Sequence, residues 1–321
     1  MTALAESKRV AALKGAHFLD FTGWRSDDLY AVLGLAAELK RGRERGERTP
    51  YLQGKTLAMI FDKASTRTRV SFEVGMFELG GHALFLTDGA TQLGRGEPLA
   101  DTAQVLSRYV DGIVIRTYAH NNVTELAKYA TVPVINGLTD DHHPCQALAD
   151  LLTIWEHKGR LRGLTLAYVG DGNNMAHSLL QAAALAGMNI RIAAPKGYEP
   201  REAVVQQARQ WARTAQTEVT VTADAKAAVR HADVVYTDVW ASMGQEAEAA
   251  ARLPVFDSYR VDRELMKTAD AAALFLHCLP AHRGEEVTAD VIDGPQSVVF
   301  DQAENRLHAQ KALLVAVMGE A

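Results

Sequence analysis

The chain is expected to be an α/β protein of two lobes, each a mostly parallel sheet flanked by helices, with an active site in the cleft between them. Three observations lead there. Short β-rich runs alternate with longer helical ones from about residue 55, the alternation restarts after about residue 160, and 321 residues suffice for two ordinary domains at roughly 150 residues each. Parallel strands need a crossover longer than a tight turn, and a helix between successive strands supplies it.

In chain order, Thr56-Leu-Ala-Met-Ile-Phe61 reads as a buried strand and His82-Ala-Leu-Phe-Leu-Thr87 as the next. Between them Val70, Val74 and Phe77 fall at i, i+4, i+7, as do Phe72, Met76 and Leu79, so the intervening helix is expected to be buried on two sides. Gly80-Gly81 ends it. Strands follow at 112–116 and 132–135, with helices at 101–110 and 123–129. Pro144 opens a helical run to His157 that is long enough to join two lobes. Further strands are expected at 164–169, 189–193, 219–222, 234–237, 274–277 and 297–301, and a last helix at about 303–318.

Composition excludes several classes. Apolar residues are 48% and charged residues 23%, so neither disorder nor a fibrous repeat fits. A net charge of −5 gives no overall basic field for nucleic acid. No apolar run reaches the length of a membrane helix, and the start, broken by Glu6, Lys8 and Arg9, has no signal-peptide core. Two cysteines, Cys145 and Cys278, cannot make a disulfide scaffold, and the expectation is a cytoplasmic enzyme.

The chemistry-bearing residues cluster at strand–helix junctions. Ser65-Thr66-Arg67-Thr68-Arg69 precedes a helix, where backbone N–H groups, hydroxyls and guanidinium groups suit a phosphate; a plain Ser/Thr cap with solvated arginines is the other reading. Arg116 ends an apolar strand, at the edge where open α/β sheets bind ligands. His142-His143-Pro144-Cys145-Gln146 offers imidazole and amide donors to a carbonyl oxygen, or merely a cap beside a buried thiol. Gly170-Asp171-Gly172-Asn173-Asn174 resembles a dinucleotide turn, but Met175 stands at the third glycine position and no acid follows about 20 residues on. Asn173 and Asn174 better suit an amino acid's carboxylate or ammonium. Asp238, before Ser242-Met243-Gly244, suits an ammonium group beside a loop able to close. His277-Cys278-Leu279-Pro280-Ala281-His282 is not a zinc pattern, since HExxH and paired CxxC are both absent; no metal and no cofactor are expected.

Taken together these motifs resemble the aspartate/ornithine carbamoyltransferase family, and its ornithine-using branch in particular, over about residues 18–318. Ser65-Thr66-Arg67-Thr68 matches the family's carbamoyl phosphate motif and His143-Pro144-Cys145-Gln146 its second such motif. Asp238 with Ser242-Met243-Gly244 matches the ornithine loop, and His277-Cys278-Leu279-Pro280 the closing motif. The family's FEKSSTRTR departs here at Asp62 and Ala64. The resemblance implies transfer of the carbamoyl group from carbamoyl phosphate to the δ-amino group of L-ornithine, giving L-citrulline and phosphate, within arginine metabolism. It implies a carbamoyl phosphate domain at 1–147 joined by the helix 303–321, and an ornithine domain at 148–302. Arg67, Arg116, His143 and Cys278 would be catalytic. Ser65, Thr66, Arg67, Thr68, Gln92, Arg116, His143, Gln146, Cys278, Leu279 and Arg306 would bind carbamoyl phosphate, Gln92 reaching a neighbouring subunit's site in a homotrimer or a multiple of trimers. Asn174, Asp238, Ser242 and Met243 would bind ornithine. A biosynthetic direction is expected, because the chain shows no extra regulatory segment.

Aspartate as acceptor would need cations for two carboxylates, and an acylated ornithine would leave Asp238 unpaired. A nicotinamide-dependent dehydrogenase fails on the turn at Gly170, and a non-catalytic amino-acid-binding module has no use for Arg67 with Arg116.

Overall fold

The computed structural model describes residues 8–87, 96–242, 244 and 246–319. The chain forms two compact units, residues 1–152 with 305–321, and residues 153–304. Each is built on a parallel sheet with helices in its crossovers, the predicted class.

The first unit has, ahead of its strands, a helix that the strand–helix reading did not include, α1 (Ser26–Glu44). Its buried side chains Leu29, Val32, Leu33, Ala36 and Leu39 share one face, and the Asp28 carboxylate accepts from Arg25 N at 2.9 Å at its start. Then follow β1 (Thr56–Phe61), α2 (Thr66–Glu78), β2 (His82–Thr87), α3 (Leu99–Leu106), β3 (Gly112–Arg116), α4 (His120–Tyr129) and β4 (Val134–Leu138). The strand order is β2-β1-β3-β4, all parallel. Strand order therefore reverses between β1 and β3, and a crevice opens at the carboxyl ends of that pair. The loop after β1 carries Ser65, and Arg116 closes β3. A register shift between Ile115 and Arg116 interrupts the β3–β4 ladder just at that arginine.

Four expectations need correction. Helix α2 buries one face, not two: Phe72, Met76 and Leu79 are fully buried, whereas Val70 is 49% and Phe77 81% exposed. Within the first unit its inner side meets the sheet and Gly75 meets Lys311 and Leu307, which leaves the other apolar stripe outside. The fourth strand is displaced from 132–135 to Val134–Leu138, because Pro133 has no N–H to give a ladder. The residues 297–301 are not a strand. Ser297 makes a single bridge to Phe275, and the apolar run Val298-Val299-Phe300 turns into the last helix, with Asp301 in its first turn. Helix α3 stops at Leu106 rather than 110, where Ser107 Oγ donates back to Ala103 O at 2.6 Å.

The helix α5 (Pro144–Lys158) carries the chain across the first unit boundary. The second unit comprises β5 (Thr165–Val169), α6 (Asn174–Ala186), β6 (Asn189–Ala193), α7 (Glu202–Ala215), β7 (Val219–Thr222), α8 (Ala225–Val229), β8 (Val234–Thr237), α9 (Ala249–Phe256), α10 (Arg263–Met266), β9 (Leu274–His277) and α11 (Ala289–Ile292). The helix α12 (Val299–Met318) returns the chain to the first unit. The order β7-β6-β5-β8-β9 is again all parallel, with its reversal between β5 and β8. Asn173 follows β5, Asp238 follows β8 and Cys278 follows β9, so three candidate residues stand at one sheet edge.

His177 on α6 gives this unit an acid sensitivity. It is buried, its Nε2 accepts from Arg201 N at 3.0 Å, and burial pulls its pKa down to about 4. Between pH 6.5 and about 4 the unfolded chain binds a proton that the folded chain refuses, so stability rises with pH across that window. His177→Gln keeps an acceptor and removes the titration. Its unfolding free energy in urea should fall less steeply on acidification, by up to about 1.4 kcal/mol per pH unit near pH 5. Equal slopes for the two proteins would refute this.

Candidate active site

In the first unit the site is assembled around a buried arginine. Ser65, extended at φ −163°, caps α2 by accepting from Thr68 N at 3.1 Å. The cap and the candidate anion-binding motif are thus one feature: the Ser65 hydroxyl caps the helix, and Thr66 and Arg67 lie in its first turn, at the positive end of its dipole. Thr66 is exposed, Arg67 half-buried and Thr68 buried. Arg69, though in the same motif, pairs with Glu73 at 3.0 Å and lies 3.7 Å over the Phe85 ring, away from this role.

Arg306, on α12, donates to Thr68 Oγ1 at 3.0 Å, to Gln146 Oε1 at 2.7 Å and to Gln310 Oε1 at 3.0 Å. Gln146 in turn donates from Nε2 to Asp150 Oδ1 at 2.9 Å, so its amide orientation is fixed at both ends. Arg116 is buried and donates through Nε to Lys63 O at 3.2 Å, while the Lys63 ammonium is paired with Asp140 and lies 4.2 Å over the Tyr118 ring. His143 is buried among these cations. Burial first, then the charges of Arg306, Arg116 and Arg67, hold its pKa well below 6.5. Either protonation state was open from sequence; here the ring is neutral, a hydrogen-bond donor without charge. Cys145, by contrast, is a structural thiol, pushed up to about 12 by burial, with Sγ donating to Asn136 O at 3.4 Å.

In the second unit Asp238 is the centre. Its carboxylate accepts from Cys278 Sγ at 2.9 Å, from Asn173 Nδ2 at 3.0 Å and from Val239 N at 2.8 Å. Asn173 also caps α6, its Oδ1 accepting from Met175 N at 2.9 Å and Ala176 N at 3.2 Å. Asn174 begins the helix beside it. The Cys278 thiol donates to a carboxylate, an arrangement that orients the sulfur. Leu279 has φ 57°, unusual for a branched residue. A buried relay holds it there: Leu279 N donates to His277 Nδ1 at 2.8 Å, and His277 Nε2 meets Glu286 Oε1 at 3.1 Å. Glu286 also accepts from His282 N at 2.6 Å. Glu286→Ala would leave the buried His277 Nε2 and the part-buried His282 N–H without this acceptor and should cost about 2 kcal/mol, read as a lowered urea midpoint, while Glu286→Gln should recover most of it. Equal losses in both variants would discard the relay.

The turn at Gly170 is packed by the chain itself. A Cβ on Gly172 would stand 2.2 Å from Pro200 N, and Asp171 is ion-paired with Arg252 at 2.7 Å. That arginine also donates to Trp240 O at 2.9 Å and pairs with Glu248, tying the turn to the segment after Asp238. No room is left there for a pyrophosphate, which removes the dehydrogenase reading.

Of the candidate residues, Thr68, Gln146 and Arg306 touch directly, with Ser65 bonded to Thr68 N and His143 within the field of Arg67, Arg116 and Arg306. Asp238 and Cys278 touch in the second unit, with Leu279 next in chain. Ser242 is half-buried, and Gln92 and Met243 lie outside the described residues. Sequence reading missed Asp150 and Gln310. Both stand four residues after a candidate on the same helix, Gln146 and Arg306, and that spacing was the available signal.

The sequence also matches known proteins over nearly its full length. Residues 16–156 match the model described as "Aspartate/ornithine carbamoyltransferase, carbamoyl-P binding domain" and residues 162–317 that of the "Asp/Orn binding domain". The chain belongs to the aspartate/ornithine carbamoyltransferase family. It is 62% identical to an ornithine carbamoyltransferase of Anoxybacillus flavithermus over 95% of this chain and 98% of that one. It is 56% identical to the protein of Pyrococcus furiosus named "Ornithine carbamoyltransferase, anabolic", over 97% and 98% of the two chains. The solved ornithine carbamoyltransferase from Pyrococcus furiosus superposes with a TM-score of 0.94 at 56% identity, covering 96% of this carbamoyltransferase and 99% of that chain. The enzyme from Gloeobacter violaceus gives 0.85 at 50%, covering 94% and 98%. Among the described residues no helix is long and apolar enough to cross a membrane.

Proposed function

We propose that this carbamoyltransferase is an ornithine carbamoyltransferase, which transfers the carbamoyl group of carbamoyl phosphate to the δ-nitrogen of L-ornithine and releases L-citrulline and phosphate. One contrast carries the reading. Cations converge on a neutral imidazole in the first unit, as an anionic donor with a carbonyl requires, and a buried carboxylate centres the second, as a cationic amino acid requires. The full-length relatives named for the same activity support it.

In this reading the first unit is the carbamoyl phosphate domain and the second the ornithine domain. Ser65, Thr66, Arg67, Thr68 and Arg116 hold the phosphate, and Arg306, Thr68, Gln146 and His143 polarise the carbamoyl carbonyl. Asn174, Asp238, Ser242 and Met243 bind the ornithine backbone, with Cys278 and Leu279 beside the reacting centre. Gln92 completes a neighbouring subunit's site in a homotrimer or a multiple of trimers. Carbamoyl phosphate already contains its leaving group, so the protein's work is charge neutralisation, alignment and oxyanion stabilisation. The neutral δ-amine attacks the carbonyl carbon, the C–O bond to phosphate breaks, and the amine's excess proton leaves on the phosphate. Cys278, donating to Asp238, orients the amine. The direction is arginine biosynthesis, the sense in the Pyrococcus relative's name. The compartment is the cytoplasm, where two free thiols persist.

The test is product formation from carbamoyl phosphate with L-ornithine, N-acetylornithine and L-aspartate offered in parallel. Citrulline from ornithine, with no carbamoylated product from the other two, is expected. Product from another amine would discard the ornithine assignment of Asp238 while keeping the first unit's role.

A further inference from the structure

Three residues far apart in sequence, Asp20, His120 and His142, meet in the first unit beyond the carboxyl ends of its strands. Phe18 bridges Ile135 of β4 in parallel and Asp20 follows it; His120 begins α4 after β3, and His142 follows β4. One potential ligand atom from each lies within 4.8 Å of the others. His142 Nε2 stands 3.8 Å from Asp20 Oδ2, and the two imidazole centroids are 5.1 Å apart.

We propose that Asp20, His120 and His142 bind a divalent transition-metal ion of the zinc class through two imidazoles and one carboxylate. The donor set selects the metal: two nitrogens disfavour calcium and magnesium and suit zinc, cobalt or nickel. The spacing agrees. At 3.8 Å the His142–Asp20 pair is too long for a hydrogen bond, whereas two ligands about 2.1 Å from a tetrahedral ion stand about 3.4 Å apart. Two of the three ligands, His120 and Asp20, are also oriented from behind, as metal ligands are. His120 Nδ1 meets Thr139 Oγ1 at 3.1 Å, which makes Nε2 its ligating nitrogen. The same hydroxyl accepts from the backbone N–H of His142 at 3.2 Å, so one threonine touches the ring of one histidine and the backbone of the other. Asp20 Oδ1 accepts from Thr22 N, turning Oδ2 to the metal side. The His142 side chain is buried and that of Asp20 is 19% exposed, so the group borders solvent through Asp20. The ion would fasten the residue immediately before His143.

Among the described residues two other groups must be separated from this one: Asp238 with His277 and Cys278, which belongs to the site already described, and His282 with Glu285 and Glu286. Zinc K-edge absorption on the wild-type protein with one equivalent of zinc distinguishes the first. Nitrogen and oxygen at about 2.0–2.1 Å with imidazole scattering and no sulfur is expected; sulfur at about 2.3 Å would assign the ion to Cys278 and overturn the proposal. Equilibrium dialysis with zinc then compares variants. His120→Ala and the shape-preserving Asp20→Asn should each weaken binding at least tenfold, and His282→Ala should not. Binding unchanged in both of the first two, or absent from the wild type at micromolar zinc, would also overturn it.

Discussion

Replacing Arg306 by methionine should lower kcat/KM for citrulline formation about 10³-fold, the scale of losing one oxyanion-stabilising donor together with its alignment. The side chain is 2% exposed and supplies hydrogen bonds at once to Thr68, Gln146 and Gln310. Methionine fills the volume but leaves three buried acceptors without that donor, so a stability loss of about 3 kcal/mol should accompany the kinetic one. Arg306→Lys restores charge without the planar fork and should fall between the two. A second readout follows from His143. Removing the Arg306 charge takes away one of the causes that depress that imidazole, so the acid limb of the pH–rate profile should move upward. A methionine variant within tenfold of wild type, with an unmoved acid limb, would remove Arg306 and His143 from the reaction.

Asp238→Asn should raise KM for ornithine about 10²-fold and leave KM for carbamoyl phosphate within a few-fold. An ammonium–carboxylate pair in a buried setting contributes about 3 kcal/mol, and each 1.4 kcal/mol is tenfold. Asparagine is isosteric and still accepts from Val239 N, so folding should survive. Equal changes in both KM values would mean that Asp238 supports the fold rather than ornithine.

Much of the architecture was legible because its causes are local. Strand bounds at 56–61, 82–87, 112–116, 189–193, 219–222, 234–237 and 274–277 match the structure, each being a short run rich in aliphatic and β-branched residues, either continuous or alternating with polar ones. Misreadings came where two local causes competed. Val298-Val299-Phe300 has strand composition yet enters a helix, and Val70 and Phe77 have core spacing yet face outward. Hydrophobic spacing states that a face is apolar; it does not state that a neighbour exists to cover it.

Residue types and order, read from the sequence alone, determined the class of fold, the strand ends that bear the chemistry, and most of the groups that reach the two sites. Motif residues are neighbours in the chain, and a strand–helix junction presents them without distant help. Only the tertiary structure decided how those groups are held. Arg306 meets Gln146 across 160 residues, burial and three cations hold the His143 pKa well below its usual value, and Cys278 donates to a carboxylate 40 residues away. Burial and Coulomb interactions depend on distance in space rather than along the chain, so protonation and orientation emerge only when the sheet edges are assembled.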